Sequence, residues 1–102
     1  MSLSQKIDFA VVFTVKNANP NGDPLNGNRP RITYEGHGEM SDVAIKRKIR
    51  NRLMQSGESI LIQSDDNKVD EFGSIRARID GSGIKTNDKD FKKQACAKWY
   101  DV

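Results

Sequence analysis

One cysteine, one histidine and three prolines in 102 residues leave several classes of protein without their raw material. Cys96 alone excludes an internal disulfide framework and a cysteine-built zinc site, and it suits a reducing compartment, so a cytoplasmic protein is expected. His37 alone excludes histidine pairs and a local catalytic triad. No apolar run approaches the roughly 18 to 20 residues that span a bilayer, and the start lacks the basic-then-apolar order of a leader, so no membrane segment or cleaved leader is expected. Aromatic residues are only 7% of the chain, which leaves few platforms for stacking on bases. Net charge is small at +3, so its placement matters more than its total.

Charged residues at 30% and hydrophobic residues at 35% describe a folding, soluble chain. Residues 1–54 hold nine Lys or Arg against five acids, whereas the remainder holds eight against nine. The excess is concentrated at Lys46, Arg47, Lys48, Arg50 and Arg52.

Asp8 to Lys16 alternates Phe9, Val11, Phe13 and Val15 with Ala10, Val12 and Thr14, which predicts a central strand covered on both faces, with Phe9 and Phe13 in a core. Residues 17–38 then hold all three prolines and half of the eight glycines, so a long loop is expected, outside any core. Ser41 is a helix N-cap, Asp42 suits the positive end of the dipole and Gly57 is a stop. A reciprocal capping box fails because position 44 is Ala. Ile45, Ile49 and Leu53 form one apolar stripe of this helix, expected to be buried and flanked by the cations. Ser59 to Ser64 reads as a second, short strand. Val69, Phe72, Ile75 and Ile79 suggest a helical segment that Asp80-Gly81-Ser82-Gly83 breaks, and Phe91, Ala95 and Trp99 mark a further amphipathic helix with Cys96 as a small buried residue. Strand, long loop, helix, strand is the first half of a split β-α-β unit, so the fold class is α+β, and no internal repeat interrupts it.

The chemistry concentrates in the loop Asn19-Pro20-Asn21-Gly22-Asp23-Pro24 and the basic helix that follows. Glycines and Asn residues aim amide groups at phosphate oxygens while Lys and Arg neutralise charge, which fits a phosphodiester backbone. Arg29 and Arg31 at the far end of the loop suit bidentate grip of phosphate or stacking on a base, and Tyr34 suits stacking. The same composition also describes an ordinary surface loop and a solvated cationic helix face, or a helix that docks on an acidic protein. Asp23 suits a divalent metal and an activated water, but it lacks a second ligand beside it and equally caps a turn. Asp65 to Asp70 has no glycine at its sixth position and fails as a calcium loop. No metal or cofactor is called for.

From Asp8 to Asn51, and again at Ala97-Lys98-Trp99-Tyr100-Asp101-Val102, the sequence resembles the guide-RNA-coating backbone subunit of type I-C Cascade complexes, within the repeat-associated RNA-binding superfamily. The resemblance implies a non-enzymatic CRISPR-associated, antiviral-defence subunit with a partial RNA-recognition-motif or ferredoxin-like fold, residues 1–102 being the N-terminal part of one such domain and residues 17–38 its RNA-facing loop. Its implied partners are guide RNA, target DNA reached through the complex, copies of itself in a helical stack and other Cascade subunits. Carried over by position, Asn19, Asn21 and Gly22 would line the RNA path, and Lys46, Arg47, Lys48, Arg50 and Asn51 would face its phosphates. Backbone subunits of type III complexes cut target RNA with a loop aspartate, which makes Asp23 the residue of the alternative, a metal-dependent endoribonuclease.

Overall fold

The computed structural model describes residues 4–64 and 69–102. The acidic stretch weighed above as a calcium loop falls largely on residues 65–68, outside the described residues. In chain order the elements are β1 (Gly22–Asp23), a 3-10 turn (Pro24–Asn26), β2 (Arg29–Pro30), α1 (Asp42–Gln55), α2 (Ile75–Gly81) and α3 (Phe91–Lys98). The chain divides into two compact units, one ending at Arg47 and the other running from Lys48 to Val102. No helix among the described residues is long and apolar enough to cross a membrane.

The first unit departs from expectation at both its strand and its loop. Residues 8–16 form no ladder with any described residue. Phe9 and Phe13, expected in a core, are 78% and 56% exposed. Alternation supplies the two faces of a strand, but a strand also needs a neighbour for its N–H and C=O groups, and the described residues offer none.

The 17–38 region, expected as an irregular loop, instead carries the paired strands. β1 and β2 are antiparallel, with Gly22 opposite Pro30 and Asp23 opposite Arg29. Between them Asp23 Oδ1 accepts the Leu25 N–H at 3.0 Å and Gly27 takes φ 63°, a conformation glycine adopts without a Cβ penalty. A second, tighter hairpin follows. Its bonds run from Thr33 N–H to His37 O at 2.8 Å and from Glu39 N–H to Arg31 O at 2.9 Å, with a bridge between Ile32 and Gly38. Arg31 N–H donates in the other direction to Asn21 O at 2.9 Å, so the run around Arg31 is bonded along both edges. The paired runs are too short to show an alternating pattern in the sequence, whereas the turn residues that connect them are plain.

Helix α1 begins and ends on local signals. Ser41 Oγ accepts the Ala44 N–H at 3.2 Å. At the other end Gly57 N–H donates to Met54 O at 2.9 Å and Glu58 N–H to Leu53 O at 3.0 Å, the paired bonds of a Schellman stop, with Gly57 at φ 89°. The expected burial of the Ile45, Ile49 and Leu53 stripe is not what the structure shows. Ile45 and Ile49 are 41% and 47% exposed, and the buried side chain of this helix is Met54, one position beyond the stripe.

The second unit builds its core from Leu61, Ala95 and Trp99, with Ile79, Ile84 and Phe91 packed against them. The four-residue spacing of Phe91, Ala95 and Trp99 thus faces the core as a helix should. Cys96, one step around α3 from Ala95, is exposed rather than buried. Segment 59–64 is not a strand. Its N–H groups are taken by a side chain, since Asp101 accepts from Leu61 N–H at 2.7 Å and from Ile62 N–H at 2.9 Å, while Tyr100 N–H donates to Ser59 O at 3.0 Å. α2 is shorter than the sequence suggests because Ser74 caps it, accepting the Ala77 N–H at 3.1 Å, which leaves Val69 and Phe72 outside the helix.

Candidate nucleic-acid interface

Phosphate recognition needs cations that are not already neutralised at home. Two of the candidate cations have carboxylate partners: Arg31 Nε lies 3.0 Å from Glu39 Oε2, and Lys46 Nζ lies 3.6 Å from Asp42 Oδ2 in an i, i+4 pair. Both pairs are exposed, so each is worth little and dissolves readily in favour of a phosphate. Among the described residues no carboxylate comes within ion-pair distance of Arg29, Arg47, Lys48, Arg50 or Arg52. Arg29, Arg47, Lys48 and Arg52 are exposed and Arg50 is half-buried, as is Asn51.

The local structure explains why these groups are displayed. Arg29 lies on β2 and Arg31 follows directly, held in place by bonds along both edges, so their backbone is fixed even though the side chains are solvated. Along α1, Arg47 and Arg50 are three residues apart and share a face, as do Lys48 and Arg52 at a spacing of four.

The polar loop residues have partners inside the protein. Asn19 Nδ2 donates to Asn28 O at 2.9 Å, and Asn21 Oδ1 accepts the Ser41 N–H at 2.8 Å. Gly22 on β1 is half-buried, and a Cβ there would make the Asn28 side chain, whose Oδ1 stands against it, swing away. Asp23 uses its Oδ1 on the turn, and no group of three or more His, Cys, Asp or Glu side chains with metal-holding geometry occurs among the described residues. His37 sits in the second hairpin with its N–H on Thr33 Oγ1 at 3.2 Å, and Tyr34 at the tip of that hairpin is fully exposed.

The family model for CRISPR-associated protein Cas7 matches residues 5–102. The chain belongs to the Cas7 family. A curated relative, the CRISPR-associated protein Cas7 of Haloferax volcanii, is 30% identical over 69 residues, which cover 67% of this chain and 20% of the relative. The chain thus spans about a fifth of the length of that relative. No solved structure matches it.

In this Cas7-family chain two working residues, Arg78 and Asp101, are not singled out by the sequence. Arg78 looks like one more surface cation, yet it is 6% exposed and donates to Asp70 Oδ2 at 2.7 Å, Leu61 O at 2.9 Å and Phe72 O at 3.1 Å. Its place one residue before core-facing Ile79 on α2 is the only hint in the sequence. Asp101 acts through a partner 40 positions away and no local signal marks it, whereas Asn21, expected on the RNA path, bonds to Ser41 20 positions away.

Proposed function

We propose that this chain is part of a non-enzymatic backbone subunit of a type I-C CRISPR surveillance complex, which grips guide RNA through its phosphates. The observation that carries the reading is the set of cations with no carboxylate partner among the described residues, Arg29, Arg47, Lys48, Arg50 and Arg52, in a chain of the Cas7 family. Arg31, Lys46, Asn51 and the backbone around Asn19 and Gly22 are further candidates for contact with the RNA. Contacts of this kind follow the backbone and read little sequence. The subunit assembles in several copies along the RNA, with target DNA held against the guide, beside other Cascade subunits in the cytoplasm. Residues 8–16 belong, in this reading, to an RNA-recognition or ferredoxin-like sheet. The exposed alternation of Phe9, Val11, Phe13 and Val15 supports it.

Affinity of the full-length protein for single-stranded RNA, measured over a range of potassium chloride, tests the reading. Neutralising about four to six phosphates gives a slope of log affinity against log salt of about −3 to −4. A flat response sinks it. Incubation with RNA and magnesium is expected to leave the RNA intact, and cleavage that disappears in Asp23→Ala would establish the endoribonuclease instead.

A further inference from the structure

An α-helix leaves its first four N–H groups without intrahelical acceptors, and for α1 these belong to Ser41, Asp42, Val43 and Ala44. Ser41 Oγ takes the last of them. In a self-contained capping box the third helical residue is Glu or Gln, whose side chain reaches back to the N–H of the cap. Here that residue is Ala44, which has nothing to offer.

The missing acceptor comes from the loop instead. Asn21 Oδ1 accepts the Ser41 N–H at 2.8 Å, the shortest side-chain bond in this region. Asn21 is otherwise engaged on the hairpin side: its Nδ2 donates to Gly22 O at 3.2 Å and its carbonyl accepts the Arg31 N–H at 2.9 Å. One half-buried residue is therefore bonded at once to the arginine-bearing strand and to the start of the basic helix. All of these atoms lie within the unit that ends at Arg47.

We propose that Asn21 is a positioning residue for polyanion binding. It completes the cap of α1 from the hairpin and so holds Arg29 and Arg31 together with Lys46 and Arg47 as one preformed cationic surface. The proposal rests on the RNA-binding reading and changes the part Asn21 plays in it. A phosphate only accepts hydrogen bonds, so at Asn21 it could meet Nδ2, which donates to Gly22 O, and not the Oδ1 that holds the Ser41 amide. With the latch closed, the hairpin and helix meet the RNA already ordered, and the cost of ordering them does not subtract from affinity. With it open, fewer cations meet the strand at once.

Counting charges separates this role from its rivals. Asn21 is neutral, so loss of a direct contact from Asn21 to RNA would lower affinity equally at every salt concentration and leave the slope unchanged. Loss of positioning removes phosphate contacts made by other residues and makes the slope shallower. The test uses full-length wild type, Asn21→Ala and the double variant Asn21→Ala with Ala44→Gln, each titrated with a single-stranded uridine homopolymer at several salt concentrations and melted without RNA.

Asn21→Ala is expected to flatten the slope by about 1 unit, the share of one or two phosphates. The added Ala44→Gln change restores the local capping box and is expected to recover the melting temperature while the slope stays shallow. Three results overturn the proposal: an unchanged slope and affinity in Asn21→Ala, a weaker affinity with a parallel slope, or a slope that recovers along with stability in the double variant. A wild type whose RNA binding shows no salt dependence overturns the RNA reading itself, and it does so before any variant is compared.

Discussion

Arg78 and Asp70 meet through two parallel hydrogen bonds, Nε to Oδ2 at 2.7 Å and Nη2 to Oδ1 at 3.0 Å, with the guanidinium buried and the carboxylate at the edge of solvent. The planar fork also donates to Leu61 O and Phe72 O, so one side chain ties α2 to two irregular segments. An ammonium could not reproduce that geometry. Arg78→Ala and Arg78→Lys are both expected to destabilise the protein, the former by about 3 kcal/mol or more, because carbonyls and a carboxylate lose their donor together. Urea unfolding of the two variants measures it.

The same pair sets an acid limit. The Arg78 hydrogen bond, helped by the Phe72 N–H, outweighs partial desolvation and holds the Asp70 carboxyl below its ordinary value. A depressed folded value means the contribution is fully present above the unfolded value of about 3.9 and is lost as pH falls through the folded one. Wild type should therefore exceed Asp70→Asn in urea midpoint at pH 6. The gap should narrow progressively below about pH 4, and a gap independent of pH would contradict the assignment.

Asp101 satisfies two backbone donors at once, those of Leu61 and Ile62. Asp101→Ala leaves both without that acceptor beside the core, at an expected cost of about 1 to 3 kcal/mol. Amide hydrogen exchange should accelerate at Leu61 and Ile62 more than at the α1 amides.

Gly57 stops α1 at φ 89°, and no neighbouring atom lies within 4 Å of where a Cβ would stand. Gly57→Ala is then a test of backbone conformation alone. It should cost about 1 to 2 kcal/mol in thermal or urea unfolding, with the RNA salt slope unchanged.

Arg29→Ala and Arg47→Ala each remove a cation that has no carboxylate partner among the described residues. Each should flatten the slope of log affinity against log salt by about 0.7 for single-stranded RNA, roughly alike for any base composition. A loss confined to one sequence would point to base reading instead.

How much of the fold is legible in the sequence follows from the range of each interaction. The N-cap at Ser41, the stop at Gly57 and the core-facing spacing of Phe91, Ala95 and Trp99 are local, and the structure carries each of them. Alternation at residues 8–16 speaks of faces and is silent about the neighbour a strand requires. The hairpins of 21–39 can be recognised only at their turns, since two-residue strands have no period to detect. In the candidate interface the cations are visible as a cluster. Which of them are already paired is not, because Arg31 finds Glu39 only through the fold of the second hairpin. Arg78, Asn21 and Asp101 work through tertiary partners, and their side-chain chemistry is the same as that of any exposed polar residue.

The clamp of Asp101 on Leu61 and Ile62 also orders events in time. Its partners are separated by 40 positions, so the segment after α1 leaves the ribosome well before the carboxylate that will hold it. At a synthesis rate of about 5 to 20 residues per second the interval is on the order of 2 to 8 s. During that interval Leu61 has neither Trp99 to pack against nor Asp101 to fix its backbone. The unit from Lys48 onward thus closes from its far end, and a slowly translated stretch ahead of α3 would lengthen the exposure of its core to chaperones and to other nascent chains.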